Sequence, residues 1–84
     1  MPKLENVSSR EHQIPALDKG GKPVSLTAPV YITLGSTQDR AAHAMGEKGA
    51  PNSDIDLTDE MLEAYKAMPA IAARIAANEF RVSA

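Results

Sequence analysis

The chain has no cysteine and no tryptophan, and its aromatic residues are limited to Tyr31, Tyr65 and Phe80. Without cysteine, neither a disulfide framework nor a thiolate metal site can hold the fold together. With 84 residues the chain makes one small domain, 1–84, which buries only about 60% of the surface that its unfolded form exposes. Few aromatics further limit the mass available for a core. The sequence therefore implies a modest core that draws part of its stability from a partner or from self-association.

Other absences narrow the function. The Lys and Arg residues are scattered from Lys3 to Arg81 without a stripe, and the net charge is −2. A nucleic-acid surface needs clustered cations, so no nucleic-acid partner is expected. No apolar run approaches the roughly 20 residues of a membrane span, so no membrane partner is expected either. The opening MPKLENVSS has no apolar stretch of the kind a signal peptide carries. The expected setting is intracellular or virion-borne.

Turning to what is present, Lys3 to Leu17 holds short extended pieces around Leu4, Val7, Ile14 and Leu17, with Ser8-Ser9 as a turn between two strands. Asp18 to Pro23 reads DKGGKP, a turn in which adjacent glycines supply positive φ. Val24 to Leu34, VSLTAPVYITL, is the best strand signal, with Val24, Leu26 and Ala28 alternating with Ser25 and Thr27. Pro29 interrupts it and implies an edge position or a bulge. From 35 to 54 the chain is polar and irregular, a surface loop in which Ser36 to Asp39 can cap one or two helical turns through Met45. Loops of this length usually bind something or stay mobile.

The segment Thr58 to Val82, TDEMLEAYKAMPAIAARIAANEFRV, starts as a helix. Thr58 is the N-cap, Asp59 and Glu60 put negative charge in the first turn, and Leu57 can meet Leu62 as a hydrophobic staple. Met61, Leu62, Tyr65 and Met68 share one face. Pro69 costs about 3 kcal/mol inside a helix but is favoured as a first helical residue. The segment is therefore split into a helix over about 58–67 and a second helix starting at Pro69. In the second, Ile71, Ala72, Ile75 and Ala76 share a face. Asn78 ends it in the left-handed conformation. Phe80 and Val82 then lie on one side of a strand that returns to the N-terminal strands. The fold class is α+β: a small antiparallel sheet of three to four short strands with two short helices joined at Pro69.

Leu57, Thr58, Glu60, Leu62, Pro69, Ile71, Ile75, Phe80 and Val82, with the opening Asn6-Val7-Ser8 and Arg10, carry a resemblance to small tailed-bacteriophage and prophage virion proteins of head, decoration or head–tail accessory type. It covers roughly the last third of the chain well and the first quarter loosely, and the stretch 35–54 stands where that pattern has a tight turn. The resemblance implies a non-catalytic structural protein, found in the virion or in host cytoplasm before assembly, whose partners are other virion proteins or itself. The alternative is a small adaptor that binds a host or phage protein. The resemblance brings no catalytic residues and no cofactor.

Asn52, Asp54, Asp56, Thr58, Glu60 and Glu63 fall in the register of an EF-hand loop, but Leu57 stands where glycine is needed, and capping is the favoured use of these acids. His12 and His43 lie in different segments, short of the three or four ligands of a zinc site. Gly20-Gly21-Lys22 is followed by Pro23 and a strand signal, unlike a phosphate-binding loop. Met61, Met68, Ala72 and Ala76 form a stripe read first as core and second as a partner groove. The candidate partner contacts are Val30, Tyr31 and Ile32 on the strand, Arg40, His43 and Met45 in the loop, and Met61 and Met68 on the helix.

Overall fold

The structure, a computed structural model, describes residues 1–25 and 27–83. In chain order the elements are β1 (Lys3–Asn6), β2 (His12–Pro15), β3 (Tyr31–Leu34), α1 (Thr37–Ala44), β4 (Asp54–Asp56), α2 (Asp59–Lys66), α3 (Pro69–Ala76) and β5 (Phe80–Ser83). The strands form two antiparallel sheets, a three-stranded one in the order β4-β1-β5 and a two-stranded one of β2 and β3. The class is α+β, with the expected sheet divided in two and a third helix, α1, inside the stretch read as a polar loop. The turn at Ser8-Ser9 does join two strands, β1 and β2, but they belong to different sheets.

The helical segment follows its local signals. Thr58 Oγ1 accepts the Met61 N–H at 3.2 Å, capping α2. Met68 has ψ 121°, the extended conformation that a following proline imposes. It therefore closes α2 and caps α3, with Pro69 as the first residue of α3. At the far end Asn78 has φ 61°. Its N–H donates to Ile75 O and the Glu79 N–H donates to Arg74 O, the two bonds of a Schellman motif. The chain then re-enters the first sheet, where Phe80 pairs with Asn6 and Val82 with Leu4.

Leu4, Ile14, Leu17, Leu34, Leu57, Tyr65, Ile71 and Phe80 make the core. Strand alternation supplies it: Leu4, Ile55, Phe80 and Val82 share the inner face of the first sheet, while Lys3, Glu5, Asp54, Asp56 and Arg81 share the outer one. Asp54 and Asp56 are therefore laid out along an extended strand, and the calcium-loop register is not realised as a loop. On the outer face Arg81 Nε donates to Glu5 Oε2 at 2.9 Å.

The strand expected over Val24 to Leu34 is shorter, Tyr31–Leu34. The reason lies at Ala16. Its C=O accepts the Val24 N–H at 3.1 Å and its N–H donates to Val30 O at 2.8 Å. Val24 and Val30 both bond to this one residue, so they cannot both lie in a single strand paired with β2. Pro23 and Pro29 lack the N–H a ladder needs. Leu26, read as part of the alternation, lies outside the described residues.

Candidate interaction surface

The edges of the two sheets are the places where this fold offers backbone groups to another chain. Three of the four carry features that hinder strand addition, although Gln13 on β2 also turns its N–H and C=O outward. The edge of β4 carries Asp54 and Asp56, whose charge discourages strand addition. β5 lies against α3. On β2, Pro15 has no N–H to offer and its C=O accepts the Tyr65 hydroxyl at 2.5 Å, which ties α2 to this edge. Burial raises the Tyr65 phenol pKa above its usual value.

β3 is the fourth edge. Ile32 is opposite Ile14, Tyr31 opposite Pro15, Thr33 opposite Gln13 and Leu34 opposite His12. Because the Ala16 N–H meets Val30 O and Pro15 has no N–H, the ladder bonds run through the Ile14–Ile32 and His12–Leu34 pairs. Tyr31 and Thr33 consequently point their N–H and C=O groups away from β2. Among the described residues none of these groups has a backbone or side-chain partner. The free stretch has two natural stops. Two residues before Tyr31 stands Pro29, without an N–H. Two residues after Thr33 stands Gly35, whose N–H donates to Asn52 O at 2.8 Å.

The sequence that carries this edge is uncharged, with no charged residue between Lys22 and Asp39. Tyr31 is 56% exposed and Val30 47%. Nearby lies an apolar cleft of about 260 Å³ whose walls include Pro15, Pro23, Val24, Pro29 and Val30.

The eight candidate contacts divide. Val30 and Tyr31 flank the free edge. His43 and Met45 are exposed on and just after α1, Met45 at 88%. Ile32, Met61 and Met68 are half-buried and pack against the core. Arg40 reaches inward from α1 and its Nε donates to Ser53 Oγ at 2.9 Å. The helix that carries these residues is locally specified: Ser36 N–H donates to Asp39 Oδ2 at 2.7 Å while Ser36 Oγ accepts the Asp39 N–H at 3.3 Å, a capping box. It buries none of its own residues.

Two further polar residues sit at the junction of the sheets. Asn6 is fully buried. Its Nδ2 donates to Arg10 O at 2.8 Å and Leu34 O at 3.1 Å, and its Oδ1 accepts from Ser8 N–H at 3.0 Å and the Ser8 hydroxyl at 2.7 Å. Asn6 thus fixes the C-terminal end of β3 to the first sheet. His12 packs edge-on against Phe80 with ring centroids 5.3 Å apart, at the seam between the sheets. Its Nε2 is buried without a hydrogen-bond partner among the described residues. That burial, together with the nearby Arg74 and Arg10 charges, lowers its pKa, with Glu79 pulling the other way.

Comparison with protein-family models, with curated proteins and with solved structures gives no match. Among the described residues no helix is long and apolar enough to cross a membrane.

Proposed function

We propose that this chain is a non-catalytic structural protein that docks on a neighbouring protein by strand addition along β3. The observation that carries the reading is the unguarded edge: outward backbone groups at Tyr31 and Thr33, bordered by exposed apolar side chains and free of charge. Added strands gain affinity from main-chain hydrogen bonds and specificity from the side chains beside them. Several polar side chains are spent on the fold. Asn6 and Ser8 build the sheet junction, Ser36 and Asp39 cap α1, and Thr58 caps α2.

The setting we propose is a tailed-phage or prophage particle, at the capsid surface or the head–tail junction, which rests on the resemblance of the C-terminal third of the sequence. Thr33→Pro tests the reading. It removes an N–H that points away from β2, as Pro15 does on the opposite edge, so the β2–β3 ladder keeps its bonds. The unmodified chain is expected to purify with particles at a fixed stoichiometry, and Thr33→Pro is expected to lower its incorporation about ten-fold or more, the loss of roughly 1.4 kcal/mol or more of interaction. Absence of the unmodified chain from particles would contradict the virion setting, and undiminished incorporation of the variant would contradict the edge.

A further inference from the structure

Resting on the reading of β3 as the docking edge, we infer that its occupant is a second copy of this chain, paired antiparallel through β3 about a two-fold axis at Ile32. The stops at either end define what the edge can pair with. Pro29 offers no N–H, and the Gly35 N–H is already held by Asn52. What remains is one N–H and one C=O at Tyr31 and the same at Thr33. A two-fold at Ile32 sets Tyr31 opposite the second copy's Thr33. Each Tyr31 N–H then meets a Thr33 C=O, each Thr33 N–H meets a Tyr31 C=O, and none of these groups is left over. A register shifted to place Tyr31 opposite Tyr31 would set Thr33 against Pro29 and strand the Thr33 C=O. The self-complementary pattern is that of an isologous contact.

The side chains agree. With no charge between Lys22 and Asp39, a second copy brings no like charge to the seam, whereas self-pairing of β4 would oppose Asp54 and Asp56 to their own kind. Tyr31 and Thr33 share the outer face of the sheet, where an aromatic residue opposite a β-branched one is a favourable cross-strand pair. Pairing also turns the two-stranded sheet, a marginal unit by itself, into a four-stranded one.

The absence of cysteine gives a direct test. Chains carrying Tyr31→Cys and chains carrying Thr33→Cys are mixed under mild oxidation, and each is oxidised alone as a control. In the inferred register the mixed pair stands about 5.5 Å apart between Cα atoms, within disulfide reach, and like pairs do not. The mixture is expected to give covalent dimer, with either variant alone giving roughly a tenth as much or less. Equal cross-linking of Tyr31→Cys alone would overturn the register. Light scattering on the unmodified chain across a dilution series is read beside it, and its mass is expected to rise from one chain to two. A mass of one chain throughout, with no cross-linking, would overturn the second copy. The docking edge is judged separately, because a loss of Thr33→Pro from particles would then mean that a different protein takes the edge.

Discussion

Asn6 and His12 hold the two sheets together by opposite means. Asn6 satisfies every group that it buries, and it spans from β1 to Leu34 and Arg10. Asn6→Leu would fill the space but leave the Ser8 N–H unpaired, while the Leu34 carbonyl keeps its ladder bond from His12 and the Arg10 carbonyl its bond from the Ser8 hydroxyl. At about 1–3 kcal/mol for a group left buried and unpaired, a loss of about 2 kcal/mol is expected in urea unfolding. His12 instead buries a nitrogen with nothing to meet. The neutral ring tolerates this by keeping its bare nitrogen inward, whereas the protonated ring would bury an unpaired N–H. The folded pKa is therefore below the ordinary value of 6.5, and the unfolded chain takes up the proton first. Stability is complete above pH 6.5 and falls as pH drops through 6.5 toward the lower folded value. Glu79, held below its ordinary 4.5 chiefly by its hydrogen bond from Arg74, contributes stability above 4.5 that is lost as pH falls further. His12→Phe is expected to flatten the stability profile between pH 7.5 and 5 and leave the loss below 4.5 in place. An unchanged slope above pH 5 would count against this role for His12.

At the scale of elements, the fold was legible wherever a local rule decided it. Thr58, Pro69, Asn78 and the Phe80–Val82 alternation act within a few residues of themselves, and each sits where helix capping, proline geometry or strand periodicity places it. Val24 to Leu34 misled because β-propensity over 24–28 was overridden by two backbone bonds to Ala16, a residue that composition does not single out. Asn6 was legible as part of a motif but not as a junction, since its bond to Leu34 spans 28 residues. Of the candidate contacts, Val30 and Tyr31 stand exposed on the stretch whose alternation marks a strand. Ile32, Met61 and Met68 could not be told from core, because a half-buried position and a contact position share the same periodicity. The glycine turn shows the difference between a local and a distant constraint. Gly21 has φ +81°, and a Cβ there would stand 2.6 Å from Glu60 O, while a Cβ on Gly20 would meet only Asp18 Oδ1 at 3.4 Å. The turn is pressed against the start of α2, where the Thr58 hydroxyl donates to Lys19 O at 2.7 Å. Gly21→Ala is expected to cost about 2 kcal/mol or more, from backbone strain and the clash together, and Gly20→Ala to stay within about 0.5 kcal/mol of the unmodified chain. Thermal or urea melts of the two variants side by side check this contrast.

For the whole molecule, a small core and an unguarded edge belong to one explanation. A domain with eight core residues and a two-stranded second sheet gains from whatever extends that sheet, and β3 is the edge proposed for that extension. The rest of the surface is consistent with that division of labour: the outer face of the first sheet is charged, with Lys3 beside Asp56 and Arg81 beside Glu5, and the remaining edges are acidic, packed by a helix or tied by Tyr65. The measurement that tests this most directly is amide hydrogen exchange at consecutive residues of β3, first in the dilute chain and then in the assembled state, whether particle or paired copy. In the dilute chain Ile32 and Leu34, bonded to β2, are expected to exchange slowly and Tyr31 and Thr33 quickly. On assembly Tyr31 and Thr33 are expected to become protected as well. Tyr31 and Thr33 amides that exchange as fast in the assembled state as in the dilute chain would contradict β3 as the docking edge.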